Sequence, residues 1–249
     1  MGGEDKYIET ELIIAKGRVF MRIAVTRLAG KDTDDSSRCA IFGHECYTVS
    51  PLRAEIQFDR VALFVERVEA GKFDCLFFSS ALPAQIIAPR LSRWPRVIAI
   101  GPQTAKTLLH FGIECEVLPH YYSSAFVPYL GDWIKGKRIG IPRADVPNPA
   151  LIEGIRNAGG IPEEVRVYEL IPTGNDLDLS SADAILFTSA MSFERAIWQS
   201  RPGLLIIAIG DSTAATMRRL GTVPTVIGDG SLEGTLRSLN AFLTASKGD

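Results

Sequence analysis

The segment "VIAIGPQTAKTLLHFG" at 97–112 is spelled again, with conservative changes, as "IIAIGDSTAATMRRLG" at 206–221. A strand, a glycine turn and a helix start written twice restrict the chain to folds built from two copies of one unit. At a shift of 109 the match runs without a gap: Asp74 meets Asp183, Phe78 meets Phe187, Ser80 meets Ser189, Gly101 meets Gly210, Thr104 meets Thr213 and Gly112 meets Gly221. The earlier part repeats at a different shift, 116, where "RIAVTR" from Arg22 resembles "RIGIPR" from Arg138.

The apolar runs between turns are short and continuous: "RIAVTR", "DCLFFSS", "RVIAIG", "CEVLP", "RIGIPR", "EVRVYEL", "DAILFTS", "LLIIAIG" and "PTVIG". Continuous apolarity suits strands covered on both faces, as in parallel sheets. Helical stretches such as "DRVALFVERVEAG", "PALIEGIRNAGG" and "SLEGTLRSLNAFLTA" lie between them. The alternation predicts an α/β protein of two similar flavodoxin-like domains, each with about five strands, facing each other across a cleft. At 249 residues the chain is long enough for two such cores.

Ligands of open parallel sheets bind beyond the carboxyl ends of the strands, and matching turns gather there in the two copies. "FFSSA" supplies Ser79 and Ser80, and "LFTSA" supplies Thr188 and Ser189. "IGPQT" supplies Gly101, Gln103 and Thr104, and "IGDST" supplies Gly210, Ser212 and Thr213. Glycine lets backbone approach a ligand, and a helix start offers free N–H groups to an anion. Serine and threonine are also the preferred helix N-caps, so capping accounts for any one of these turns taken alone. Arg27 and Arg143 end the two matching first strands, where they are either solvated or able to pair with a carboxylate. Ser123 and Ser124 in "YYSSAFVPYL" precede another helix, and Tyr168 in "EVRVYELIP" ends an apolar strand near the crossover between the halves.

The formal net charge is −2, which gives no global reason to bind nucleic acid or an anionic membrane. The four cysteines, Cys39, Cys46, Cys75 and Cys115, show no zinc spacing, and reduced thiols in a cytoplasmic protein are the plain inference. His44, His110 and His120 are scattered, so no metal is expected. There is no G-x-G-x-x-G, no G-x-x-x-x-G-K-[ST] and no G-x-S-x-G, which removes the usual signs of nucleotide binding or a hydrolase nucleophile. Residues 1–20 read as an appendage, with Met21 as an alternative start, and "TASKGD" reads as a frayed end.

Strand-"TSA"-helix, then "AIG-x-x-T-A", then "VYEL" before the second copy, in this order and spacing, resemble the uroporphyrinogen-III synthase family from about residue 22 to 245. The resemblance implies a cofactor-free, monomeric, cytoplasmic lyase of porphyrin biosynthesis. Its substrate is hydroxymethylbilane, a linear tetrapyrrole polycarboxylate, which it cyclises with loss of water and inversion of ring D. It also implies two domains joined by a two-stranded connector, at 21–50 with 172–249 and at 51–171. Tyr168 matches the family's assisting tyrosine, and Thr104, Thr213, Ser80 and Ser189 match its binding residues. The proline that often follows those serines is Ala81 and Ala190 here. Other readings stay open at this level: a two-domain regulator that closes on a small anion, an inactive synthase homologue, or a nucleotide-sugar transferase.

Overall fold

Apolar runs become strands and the amphipathic stretches between them become helices. The computed structural model describes residues 20–30 and 34–245, so the expectations for residues 1–19 and 246–249 lie outside the described residues. In chain order the elements are β1 (Arg22–Leu28), α1 (Asp35–Ile41), β2 (Glu45–Ile56), α2 (Phe58–Glu69), β3 (Cys75–Phe78), α3 (Ala81–Ile87), β4 (Arg96–Ala99) and α4 (Pro102–His110). Then come β5 (Glu116–Val117), α5 (Phe126–Leu130), β6 (Arg138–Ala144), α6 (Pro149–Asn157) and β7 (Ile161–Pro172). The chain continues through β8 (Ala184–Phe187), α7 (Ala190–Arg195), β9 (Leu205–Ala208), α8 (Asp211–Arg219), β10 (Val226–Ile227) and α9 (Leu232–Ala245).

The chain divides into two compact units. One comprises residues up to Arg53 and from Ile171 onward, and the other spans Ala54–Leu170. The first holds strands in the order β2-β1-β8-β9-β10, and the second holds β7-β6-β3-β4-β5. Between β2 and β10, and between β7 and β5, every neighbouring pair is parallel. Numbered from β6, the second unit has the same 2-1-3-4-5 order as the first, the flavodoxin-like arrangement. It is a circular permutation, because β2 leaves the first unit and enters the second, and β7 makes the return. The permutation explains the two shifts of the repeat. β1 and β2 correspond to β6 and β7 at 116, whereas β8 and β9 correspond to β3 and β4 at 109.

The correspondence holds residue by residue. Ile23 lies opposite Cys46 and Ala184, and its counterpart Ile139 lies opposite Pro162 and Cys75. The irregularity that interrupts β1–β2 pairing after Thr26 recurs in β6–β7 after Arg143.

Both faces of each sheet are covered, as continuous apolar strands require. All four residues of β3 are fully buried, and they alternate between two clusters. Leu76 and Phe78 pack with Phe64, Ile87 and Val167 on one face, while Cys75 and Phe77 pack with Phe126, Ile141 and Ile155 on the other. The first unit repeats this, with Ala184 and Leu186 against Leu232 and Leu236, and Ile185 and Phe187 against Phe193 and Met217.

Two expectations are corrected here. The strand β2 escapes the search for continuous apolar runs, because its buried residues Cys46, Val49, Pro51 and Leu52 are scattered among exposed and half-buried ones in "ECYTVSPLRAEI". Cys39 and Cys46 are joined in a disulfide rather than held as thiols. The short turn between α1 and β2 has to bring β2 back alongside β1, and this sets the two Cα atoms 5.9 Å apart, a bridging distance that no spacing rule shows. With two of four cysteines bonded, cysteine usage no longer argues for a reducing compartment. Cys75 and Cys115 are free, and burial pushes the Cys75 thiol up to about 12.

Candidate functional site

At the carboxyl edge of each sheet the strands end in small residues that begin helices. In the Ala54–Leu170 unit, β3 runs into Ser79 and Ser80 ahead of α3, and β4 runs into Gly101 ahead of α4. Gly101 is in extended backbone, and a Cβ there would meet the Tyr121 ring at 3.4 Å, so the loop after β5 lies directly against this turn. Thr104, in the first turn of α4, is 3% exposed and its hydroxyl makes no hydrogen bond among the described residues. Gln103 and Ser124 are exposed, and the half-buried Ser123 accepts a hydrogen bond from Asn148 Nδ2 at 3.1 Å.

Tyr168 stands on β7, 7% exposed, with its ring in the core cluster that holds Phe78 and Val167. The polar side chain that bears on its hydroxyl is Ser80. Burial raises the phenol above its ordinary value, and the Ser80 contact pulls the other way. Tyr168 is therefore a protonated phenol throughout the neutral range. Sequence spacing places Ser80 and Tyr168 88 positions apart, and only the parallel packing of β3, β6 and β7 brings them together.

In the other unit, Thr188 and Ser189 are engaged by the scaffold. Thr188 N donates to Thr26 Oγ1 at 2.9 Å, and Thr188 Oγ1 donates to the Thr26 carbonyl at 2.6 Å. Ser189 is a working N-cap that accepts from Ser192 N at 3.0 Å, and its Oγ lies 2.7 Å from Ser192 Oγ. Gly210 is extended, and a Cβ there would press on Gly230 backbone at 3.2 Å. Ser212 is exposed, whereas Thr213 is 3% exposed with no side-chain hydrogen bond among the described residues, as in its counterpart Thr104.

Neither arginine projects freely. Arg27 holds Asp35 in a two-pronged pair, Nε to Oδ2 at 2.6 Å and Nη2 to Oδ1 at 2.9 Å. Arg143 is 7% exposed and its Nε lies 2.6 Å from Glu164 Oε1, although the N–H is out of line for a hydrogen bond to that oxygen. A ligand carboxylate at either site has to share or displace an acidic partner. Asp35, Glu164, Thr26 and Tyr121 lacked any motif in the sequence, because their roles arise from neighbouring strands and loops.

The family model for uroporphyrinogen-III synthase HemD matches residues 35–229, well over half of the chain. The chain belongs to the uroporphyrinogen-III synthase family. Among solved structures it is similar to uroporphyrinogen-III synthetase from Helicobacter pylori, with 17% identity over 87% of this chain and 97% of that one, at a TM-score of 0.58. It is also similar to a mutant uroporphyrinogen III synthase from Thermus thermophilus, with 15% identity over 92% of this chain and 100% of that one, at a TM-score of 0.50. At such identities these synthases support the fold alone. No curated protein sequence matches the chain. Among the described residues there is no group of histidine, cysteine, aspartate and glutamate able to hold a metal, and no helix is long and apolar enough to cross a membrane.

Proposed function

We propose that the chain converts hydroxymethylbilane to uroporphyrinogen III as a lyase, with Tyr168 as the proton donor. The observation that carries this reading is a buried, protonated phenol beside Ser80 at the carboxyl edge of a parallel sheet. Its own unit carries a helix start at Gly101 and the Thr104 hydroxyl, which makes no hydrogen bond among the described residues, and the other unit carries their counterparts Gly210 and Thr213. Backbone N–H groups and hydroxyls bind carboxylates without themselves carrying charge. Arg27 and Arg143 add cationic contacts where a substrate carboxylate shares their present partners, and Ser79, Gln103, Ser123, Ser124, Thr188, Ser189 and Ser212 complete the binding set.

In the first step the electron-rich terminal pyrrole expels its hydroxyl group. The C–O bond breaks, Tyr168 gives its proton to the departing oxygen, and water leaves. Ring D then adds through its substituted carbon, inverts by way of a spiro intermediate, and closes the macrocycle. The proton released when the last pyrrole regains aromaticity restores the phenol. Because closure without inversion occurs easily, the enzyme's main contribution is holding ring D in the productive orientation. The test is direct: supply the bilane and separate the products. An excess of the III isomer over the I isomer formed by a heat-inactivated control is expected, and equal isomer ratios would refute the reading.

A further inference from the structure

At the shift of 109 the loop after β5 corresponds to the loop after β10. Pro119, His120, Tyr121 and Tyr122 stand where the other unit has Gly228, Asp229, Gly230 and Ser231. Each loop lies against the glycine turn of its own unit, and the same position makes the contact. A Cβ on Gly210 would meet the Gly230 backbone N at 3.2 Å, and a Cβ on Gly101 would meet Cγ and Cδ1 of Tyr121 at 3.4 Å. One unit closes its turn with bare backbone, and the other closes it with an aromatic side chain.

The backbones account for the exchange. Gly230 has a φ of 96°, which a tyrosine adopts only under strain. No residue other than glycine has a positive φ among the described residues, so Tyr121 is free of that constraint. It stands at the centre of a three-residue turn closed by Tyr122 N, which donates to the His120 carbonyl at 2.8 Å. The next residues are pinned as well. Ala125 N donates to the Tyr122 carbonyl at 3.0 Å, and Ser123 Oγ accepts from Asn148, the residue that caps α6.

On this fixed frame the rings are left outside. Tyr121 is 59% exposed and Tyr122 is 74% exposed. Covering Gly101 uses only Cβ, Cγ and Cδ1 of Tyr121, atoms that a leucine also has, so the rest of the ring serves no packing role. Beside it Tyr122 lines a pocket of about 490 Å³ with Pro119, His120, Ser124, Pro128 and Tyr129, a volume within the range of small-molecule sites. Tyr129 is itself fixed there, its hydroxyl donating to Glu116 Oε2 at 2.7 Å. Large aromatic rings held in water by a pinned loop, next to a pocket and a helix start, mark a surface built for a flat ligand.

We infer that Tyr121 and Tyr122 form a stacking surface for the pyrrole rings of a linear tetrapyrrole, so that this unit reads the rings of the substrate where the glycine loop of the other offers only backbone. Pyrroles are flat and electron-rich, and they pack offset or edge-on against phenol rings. A ring seated on Tyr121 lies beside the start of α4, whose N–H groups suit the carboxylates it carries. The inference rests on the reading of the chain as an enzyme of hydroxymethylbilane.

The experiment separates the ring from the packing. Tyr121→Leu keeps the atoms that cover Gly101 and removes the ring; KM for hydroxymethylbilane is expected to rise about fivefold, with kcat within twofold of the parent. Tyr121→Phe keeps the ring and is expected to restore the KM. Melting temperatures of both should match the parent, because the ring is exposed. A second readout needs no turnover. In protein with ¹³C-labelled tyrosine rings, the signals of Tyr121 and Tyr122 are identified by their loss in the two phenylalanine variants. Uroporphyrinogen III, added without oxygen, is expected to shift both signals through its ring currents. Signals that stay in place, a KM unmoved by Tyr121→Leu, or a KM raised equally by leucine and phenylalanine overturns the stacking surface. Shifted signals in a chain that forms no excess of the III isomer overturn the catalytic reading alone and leave the surface standing.

Discussion

Replacing Tyr168 with phenylalanine removes one oxygen and keeps the ring that packs beside Phe78 and Val167. Two quantities follow. The first is stability. The lost interaction with Ser80 is neutral and worth at most about 1 kcal/mol net, and Ser80 is half-buried and able to bond water instead. In a unit spanning Ala54–Leu170 this lowers Tm by about 4 °C or less. The second is turnover. General acids contribute about 10²–10⁴ in rate, and a phenol raised above ~10 lies toward the weaker end. The expected loss is therefore about 10²-fold in formation of the III isomer, or ~2.7 kcal/mol of barrier. The assay follows consumption of freshly prepared hydroxymethylbilane and separates the I and III isomers by chromatography. Circular dichroism melts confirm the fold. The parent should show no loss of rate from this group between about pH 6 and 9, since the phenol stays protonated there. Its raised folded value also means that its contribution to stability is present below pH ~10 and fades as pH rises through the folded value. A Tyr168→Phe enzyme within twofold of the parent, still making the III isomer, would refute the reasoning.

Thr104→Val with Thr213→Val keeps shape and removes two buried hydroxyls that have no partner among the described residues, so stability should hold while KM for the bilane rises about 20-fold, at about fivefold per hydrogen bond; an unchanged KM would make these threonines mere parts of the helix starts. Thiol titration of denatured, unreduced protein should find two thiols, Cys75 and Cys115, and four after reduction, and four before reduction would contradict the Cys39–Cys46 bond. In native protein Cys75, with its thiol at about 12, should resist alkylation at pH 8. Glu233 is held down to about 2 by the hydrogen bond from Arg38, so its contribution is present above pH ~4.5 and is lost as pH falls through about 2. Its side chain is 39% exposed, which limits the contribution to under about 1 kcal/mol. Urea denaturation of Glu233→Gln should show that loss at pH 7 and a smaller gap from the parent at pH 2; an equal gap at both values would sink the account.

The repeat was legible because a sheet covered on both faces needs the same continuous apolar strands twice, and "DCLFFSS" and "DAILFTS" declare them. Glycine turns and hydroxyls at strand ends were legible for the same reason, since backbone geometry limits which residues fit there. The strand β2 was not, because one whose few buried residues are scattered among exposed ones looks like many loops. The disulfide was equally hidden, as the seven-residue spacing of Cys39 and Cys46 has meaning only once β2 returns beside β1.

The residues by themselves determined the fold class, the duplication and the placing of small and hydroxyl residues at the strand ends, because period, glycine placement and strand ends are local properties. Tertiary structure alone decided which hydroxyls are occupied. Ser80 and Ser189 are written alike, yet only Ser189 accepts a cap hydrogen bond, from Ser192 N, while Ser80 makes none. Hydrogen bonds saturate and depend on direction, so identical side chains in equivalent turns acquire different chemistry from their neighbours.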